Sequence, residues 1–173
     1  RLQHVKDLFV FSCYTGLAYI DVFELTPQNL SKGIDCNTWI FTTRHKTDIP
    51  VRVPLLSQSL EIIKRYNNNP PVLESGKLLP VFSNQKHNAY LKEIADLCGI
   101  TKPLTFHIAR HTFTTTVTLT NGVPIETVSK LLGHTSIKTT QIYAKVLEKK
   151  VREDFNILKS KISQISVKNT KTI

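Results

Sequence analysis

The sequence predicts a mainly helical domain that carries a small antiparallel β-sheet, an α+β fold. Apolar residues recur at helical spacing along most of the 173-residue chain. Only two segments, 38–43 and 51–55, are instead rich in the β-branched and aromatic residues that favour strands. No internal repeat or linker divides the chain, and its length suffices for one hydrophobic core. We therefore expect one domain over residues 1–162 and a polar tail over residues 163–173.

Two helices and a β-hairpin are expected first along the chain. The first helix covers Leu2–Cys13. The second covers Leu17–Leu25 and stops before Pro27, because the residue ahead of a proline avoids the helical region. A polar turn separates the two strand segments, which predicts an antiparallel hairpin, with a third short strand as a further possibility.

Helices dominate the remaining sequence. We expect them over residues 57–66, 84–98, 105–120, 124–132, 136–146 and 147–162. Asn67–Pro71 should break the first of these helices after Tyr66, and Gly99 should cap the second. Residues 78–82 are expected to form a short strand or an extended link.

The charge of the chain favours a polyanionic partner. Lys and Arg number 23 against 13 acidic residues, which gives a net charge of +10. Neutralising phosphates releases condensed counterions, so such an excess suits nucleic acid. Charge alone does not choose between DNA, RNA and an anionic membrane surface. No window approaches the roughly eighteen uninterrupted apolar residues of a membrane span, and no secretory leader is visible.

The cysteines indicate a reducing compartment. Cys13, Cys36 and Cys98 are widely separated, odd in number and form no CxxC pair. We therefore expect neither a zinc site nor a disulfide framework, and we place the protein in the cytoplasm. The chain begins at Arg1 and contains no Met, so we interpret it as a piece of a longer protein.

The first motif that can carry chemistry is HxxR. On a helix, His107, Arg110 and His111 share one face. A guanidinium offers a planar fork of donors and an imidazole exchanges a proton near neutral pH, so the pair suits a phosphate. Taken alone, HxxR is more typical of a solvated polar face. A metal pair of the two histidines is disfavoured, because the Glu of HExxH and nearby acidic ligands are missing.

The second motif joins a Gly-His pair to a tyrosine. Gly133 ends one helix and leaves His134 partly free, 24 residues after Arg110. Tyr143 follows nine residues later, in the next helix. A lone tyrosine there is usually a packing residue. The ordered set of HxxR, GH and Tyr is far more specific than any of its parts.

The third element is a pair of cations near the hairpin turn. If the strand continues this far, Arg44 and Lys46 project on the same side, where they can reach into a DNA groove. Charges that protect an exposed strand edge are an equally good interpretation.

Together these motifs resemble the catalytic domain of the tyrosine recombinase (phage integrase) family over nearly the whole chain. The family signature is TGLR, a hairpin lysine, HxxR, GH and a C-terminal tyrosine. The chain matches it at Lys46, His107, Arg110, His134 and Tyr143. It departs at Ala18, where the family has the arginine of TGLR, although Asp21 matches the family's acidic residue. The chain is also similar to mobile-element (conjugative-transposon) integrases of gut anaerobes, some of which lack this arginine.

The resemblance implies a reaction on double-stranded DNA without a cofactor or metal. Tyr143 would attack the scissile phosphorus and form a 3′-phosphotyrosine link. His107 is the candidate base for the phenol, and Lys46 would protonate the leaving 5′-oxygen. Arg110 and His134 would stabilise the phosphorane.

Ala18 leaves this phosphate clamp one arginine short. Arg44 is our hypothesis for the substitute, because strand alternation would place it beside Lys46. Weaker candidates are Arg1, Arg52 and Arg65. A different function is a degenerate module that binds DNA without cutting it. Type IB topoisomerases use similar chemistry, but the GH-to-Tyr spacing is closer to that of integrases.

The last predicted helix carries an apolar stripe at Val146, Val151, Phe155 and Leu158. The stripe docks either on its own domain or on a neighbouring protomer. From the family resemblance we expect a homo-oligomer, a tetramer, on DNA, and an upstream DNA-binding domain outside this chain.

Overall fold

The computed structural model describes residues 1–80, 82–143, 151–159 and 162. The chain forms two compact units, Arg1–Tyr143 and Ala144–Ile173. The first unit is mainly helical with a three-stranded antiparallel sheet, which confirms the predicted fold class. None of the described helices is long and apolar enough to cross a membrane.

The described residues of the first unit form eight α-helices and three strands, besides short 3₁₀ and π-helical segments. The helices are α1 Leu2–Thr15, α2 Tyr19–Glu24, α3 Ser57–Tyr66, α4 Pro70–Ser75, α5 Asn84–Leu97, α6 Phe106–Thr112, α7 Ile125–Leu131 and α8 Ile137–Gln141. The strands are β1 Leu30–Lys32, β2 Thr38–Thr43 and β3 Pro50–Pro54. In the second unit, residues 151–159 are helical.

The sheet has the order β1-β2-β3, so the predicted hairpin is present together with a third short strand. Ile40 in the central strand pairs with Leu30 on one side and Val53 on the other. Ile40 and Val53 are buried, while Arg52, between two buried residues of β3, is exposed. The alternation that predicted the strands therefore gives the sheet one core-facing side.

Helix α1 runs through the core and packs against α3, α5 and α6. Val5, Leu8 and Phe11 are its buried apolar residues at i, i+3 and i+6, as the helical period requires. Asp7 is also buried, and its carboxylate accepts hydrogen bonds from Arg65 at 2.6 Å and Tyr66 at 2.7 Å. Although burial alone would raise the pKa of Asp7, these hydrogen bonds hold it below its ordinary value.

Two features of the helices differ from the prediction. Asn67–Pro71 ends the preceding helix as predicted, since α3 ends at Tyr66, but an unpredicted helix, α4, starts at Pro70, because a proline fits the first helical turn, where its missing N–H has no partner. The helix predicted over residues 105–120 is divided into α6, a π-helical segment Phe113–Thr118 and a short 3₁₀ turn. Within it, the Thr118 hydroxyl donates to the carbonyls of Phe113 and Thr114 and so competes with regular helix bonding.

Other predicted boundaries changed little. Residues 78–80 form a link that is not a strand, in which the Leu78 amide donates to the Leu25 carbonyl. Helix α8 ends at Gln141, short of the predicted end at 146. Residues 144–150 lie outside the described residues, as do 160, 161 and the predicted tail, 163–173.

Candidate active site

Arg110 is the buried centre of the site. It lies on α6, which begins after Thr105, and only 6% of its surface is exposed. Its Nη1 donates to the Gly16 carbonyl and its Nη2 to the Leu132 carbonyl, each at 2.5 Å. These carbonyls belong to the ends of α1 and α7, so the guanidinium joins three helical segments.

The burial of Arg110 is electrostatically unfavourable for its positive charge. Its pKa is lowered to about 10, chiefly by burial and also by the positive charge of Arg44, while Asp21 and Tyr143 act in the opposite direction. The pKa remains high enough for the group to stay charged at neutral pH. Among the described residues, no carboxylate lies at hydrogen-bond distance from this buried cation, which is therefore suited to receive an anion.

His134 lies directly beside Arg110. Its Nε2 is 3.3 Å from Nη2 of Arg110, and its Nδ1 is 2.7 Å from the Thr140 hydroxyl. Burial lowers the pKa of His134 to about 4, with further contributions from Arg110 and Arg44. The imidazole is therefore neutral at neutral pH.

Gly133 fixes the backbone that presents His134. Its φ is +60°, a left-handed conformation that glycine adopts without strain. A Cβ at this position would lie 2.7 Å from Cγ2 of Val51 and 3.2 Å from Cδ of Arg44. The backbone after α7 thus lies so close to Val51 in β3 and to Arg44 that only glycine, which has no Cβ, fits at position 133.

Arg44 joins the cluster through Gly133. Its Nη1 donates to the Gly133 carbonyl at 3.1 Å, and its Nε is buried without a hydrogen-bond partner among the described residues. Its charge lowers the pKa of both Arg110 and His134, as expected of a cation close to each. The structure therefore brings three sequence-predicted residues together at one place: Arg44, Arg110 and His134.

Lys46 is placed differently from the expectation. Strand β2 ends at Thr43, and the Arg44 carbonyl then accepts from the amides of Thr47 and Asp48 in a turn. Strand alternation therefore does not set the relative directions of Arg44 and Lys46. Lys46 is exposed and makes no side-chain hydrogen bond or ion pair with the residues that the structure describes.

Asp21 connects the hairpin turn to the start of α2. The buried carboxylate accepts from the His45 amide at 3.0 Å and from the Ala18 amide at 3.4 Å. One side chain thus links the position that lacks the family arginine to the residue next to Arg44. Sequence reasoning used Asp21 only to align the motif, because these backbone contacts are tertiary.

His107 and Ala18 lie on an open cavity of about 280 Å³ that Arg110 also lines. His107 is exposed on α6, one turn before Arg110. Ala18, at the position where the family has an arginine, lines the same cavity with a small side chain. His107 and Arg110 therefore border a common space large enough for a phosphate group.

Tyr143 follows α8 and is half-buried. Its ring packs edge-on against His111, with centroids 5.0 Å apart and planes at 81°. An electrostatic interaction with Tyr143 also acts to raise the pKa of Arg110. Sequence reasoning placed His111 on the face of His107 and Arg110 but gave it no part in the site, since HxxR does not include it.

The three weaker candidates for the missing arginine are engaged elsewhere. Arg1 pairs with Glu93 at 3.1 Å, and Arg65 binds the Asp7 carboxylate. The guanidinium of Arg52 lies 5.8 Å from the centre of the Phe41 ring. Over residues 1–80, 82–143, 151–159 and 162, no group of three His, Cys, Asp or Glu side chains is arranged to hold a metal ion.

Comparison with known proteins shows the family of this chain. The model of the phage integrase family matches residues 4–150. The chain belongs to the phage integrase family. Tyrosine recombinase XerD of Staphylococcus saprophyticus is 32% identical over 143 residues, which are 77% of this chain and 46% of that protein. XerD of Lacticaseibacillus casei is 30% identical over 148 residues, which are 80% of this chain and 49% of that protein. The chain spans less than half the length of these two relatives.

Solved structures share the fold. The XerA recombinase superposes with a TM-score of 0.67 at 22% identity, over 89% of this chain and 62% of that one. The Tn1549 transposon integrase in complex with a circular intermediate DNA gives 0.65 at 18% identity, over 89% and 58%. A lambda integrase dimer bound to a COC′ core site gives 0.64 at 15% identity, over 82% and 52%. Identities this low show the fold alone.

Proposed function

We propose that this chain is the catalytic domain of a site-specific DNA recombinase that cleaves and rejoins double-stranded DNA through Tyr143. The observation that carries the proposal is the cluster of Arg44, Arg110 and His134 beside a half-buried tyrosine. Two buried or half-buried guanidiniums next to a neutral imidazole suit a phosphodiester better than a neutral substrate. The net charge of +10 supports a DNA partner.

The proposed step breaks one P–O bond and forms another. The Tyr143 oxygen attacks the scissile phosphorus, and the 5′-oxygen leaves, so the protein is joined to the 3′-phosphate. His107 takes the phenol proton, and Lys46 gives a proton to the leaving 5′-oxygen. Arg110 and His134 stabilise the charge of the phosphorane. The phosphodiester energy is kept in the link, and the reverse attack by a 5′-hydroxyl rejoins the strand without a cofactor.

Trapping of a covalent adduct tests this function. The probe is a pool of nicked DNA duplexes with random central sequences, in which the cleaved fragment diffuses away and religation is prevented. We expect an adduct that survives denaturation, and its loss in Tyr143→Phe. Tyr14→Phe, which removes the hydroxyl of a half-buried tyrosine in α1, is the matched control and should form the adduct normally.

We further propose that Arg44 replaces the arginine missing at Ala18. Three features support this role: its contact with the Gly133 carbonyl, its nearness to Arg110 and His134, and the Asp21 carboxylate that ties the Ala18 amide to the turn. Its buried Nε has no hydrogen-bond partner among the described residues, so the Nε–H is available to donate to a phosphate oxygen.

Removal of Arg44 should therefore act on the chemical step. We expect Arg44→Ala to slow adduct formation by about 10²–10³, the usual effect of losing one donor to a developing oxyanion. DNA affinity should change little. Arg52→Ala removes the same charge from the exposed side of β3 and should leave the rate near that of the wild type. Equal rates in the two variants would exclude the role of Arg44.

A second candidate function is a DNA-binding module that occupies sites without cutting. Ala18 is the observation that favours it, because the cavity beside Arg110 then lacks one cation. In that case the wild type would bind DNA but form no adduct with any member of the duplex pool.

Assembly on DNA is also proposed. Phe155 and Leu158, in the helical residues 151–159, are 58% and 47% exposed. We infer that this stripe docks on a neighbouring protomer. The chain would thereby form a homo-oligomer, a tetramer, on DNA. We place this assembly in the cytoplasm. Val146 belongs to the same predicted stripe but lies outside the described residues. The XerD relatives are more than twice as long as the matched part, which leaves room for an upstream DNA-binding domain.

A further inference from the structure

Thr140 contacts the His134 ring on its Nδ1 side, away from Arg110. It lies in α8, and its surface is fully buried. Its hydroxyl is 2.7 Å from Nδ1 of His134, on the side of the imidazole away from Arg110. A buried hydroxyl at this distance forms a hydrogen bond with the ring, so one of the two groups donates and the other accepts.

Arg110 decides which group donates. A guanidinium has donors only, so the contact between its Nη2 and Nε2 of His134 requires an unprotonated Nε2. The ring is neutral, because burial and the two neighbouring arginines lower its pKa to about 4. A neutral imidazole with a bare Nε2 carries its proton on Nδ1. The Nδ1–H therefore donates to the Thr140 oxygen.

We propose that Thr140 is a positioning residue that holds His134 in the Nδ1–H tautomer and directs the Nε2 lone pair toward Arg110. Its consequence for catalysis rests on the proposed function. In this tautomer His134 enters the reaction as a hydrogen-bond acceptor. It donates to a phosphate oxygen only after Nε2 takes up a proton, which the negative charge of an arriving phosphate favours.

Two substitutions separate the hydrogen bond from packing. Thr140→Val keeps the shape of the side chain and removes the hydroxyl, while Thr140→Ser keeps the hydroxyl and removes a methyl group. If the hydroxyl positions His134, the Thr140→Ser variant should behave like the wild type and the Thr140→Val variant should not. A role in packing alone predicts the reverse order.

The first readout is the protonation of each His134 ring nitrogen, measured by nitrogen NMR of the free chain with selectively labelled histidine. Assignment uses the His134→Gln spectrum. We expect Nδ1 protonated and Nε2 bare in the wild type and in Thr140→Ser, with a slowly exchanging Nδ1 proton. In Thr140→Val that proton should exchange rapidly with water, since it has lost its acceptor. A wild-type ring protonated on Nε2 would overturn the assignment, and so would an Nδ1 proton that exchanges equally slowly in all three chains.

The second readout is the rate of adduct formation with the nicked duplex pool. We expect Thr140→Val to be slower by about 10- to 100-fold at similar DNA affinity, as is usual when the partner that orients a functional histidine is lost, and Thr140→Ser to be close to the wild type. A Val variant as fast as the wild type overturns the positioning role in catalysis. If no chain forms an adduct while NMR gives the expected protonation, the proposed function fails and the tautomer assignment stands.

Discussion

His87 makes the stability of the domain depend on pH. It is fully buried in α5, with the rings of Tyr19, Phe82 and Phe106 within 5.4–5.7 Å of its own. Its Nε2 accepts from the Phe82 amide at 3.2 Å, while Nδ1 has no hydrogen-bond partner among the described residues. Burial lowers the pKa of His87 from 6.5 to about 4, and in the part of the chain that the structure describes no carboxylate is paired with the ring.

The direction and the size of the pH effect on the free energy of unfolding follow from proton binding. Because the folded pKa lies below the unfolded one, the unfolded chain binds more protons as the pH falls. The stability from the neutral ring is complete above pH 6.5 and is lost as the pH falls toward 4. Each pH unit between the two pKa values corresponds to about 1.4 kcal/mol, so the total is about 3 kcal/mol. About 2 kcal/mol of it should be lost by pH 5.

Urea unfolding at pH values from 7.5 to 5 measures this slope. His87→Gln removes the titrating group and offers an amide oxygen to the Phe82 amide, so its free energy of unfolding should depend on pH less by about 2 kcal/mol. The comparison uses slopes, so a general loss of stability in the variant does not affect it. His45→Gln, at an exposed position, is the matched control and should keep the wild-type slope. An unchanged slope in His87→Gln would show that the buried His87 ring is not the source of the pH dependence.

Three further predictions concern the core, the glycine at the site and the last helix. Asp7→Asn should lower the free energy of unfolding by about 2 kcal/mol, measured in urea, because the buried carboxylate accepts a charged bond from Arg65; an unchanged midpoint would contradict this. Gly133→Ala should destabilise by about 1–3 kcal/mol and slow cleavage, since its Cβ would lie 2.7 Å from Cγ2 of Val51; calorimetry and adduct assays check both, and wild-type values would refute the close approach. Phe155→Asp should prevent assembly on DNA, seen by light scattering, while single-protomer binding persists; normal assembly would exclude docking through this residue.

The sequence was sufficient to predict much of the fold because the local signals were strong. Alternating β-branched residues located β2 and β3, and helical spacing placed His107 and Arg110 on α6. The boundaries that failed depend on details that periodicity does not carry. Proline in the first turn of α4 and threonine hydroxyls in the π-helical segment are local exceptions to the average behaviour of these residues.

The site was predicted as a set of residues, and its geometry was not. Sequence spacing cannot show that the Gly16 and Leu132 carbonyls hold Arg110, because these residues meet it only in the folded chain. Arg44 was chosen on strand alternation, yet β2 ends before it and a contact with Gly133 places it. The catalytic roles of all the predicted site residues remain predictions: Tyr143, Arg110, His107, His134, Lys46 and Arg44. Thr140 carried no signal, since a threonine six residues after a histidine is unremarkable in sequence.

The proposed function requires that Tyr143 become covalently joined to DNA. Adducts trapped with the nicked duplex pool are digested with protease and nuclease, and the nucleotide-bearing peptide is identified by mass spectrometry. We expect the nucleotide on the tyrosine of the Gln141–Ile142–Tyr143 segment, attached through a 3′-phosphate, with a free 5′-hydroxyl on the released strand. A modified residue elsewhere, or an adduct through a 5′-phosphate, would exclude Tyr143 as the nucleophile of this mechanism.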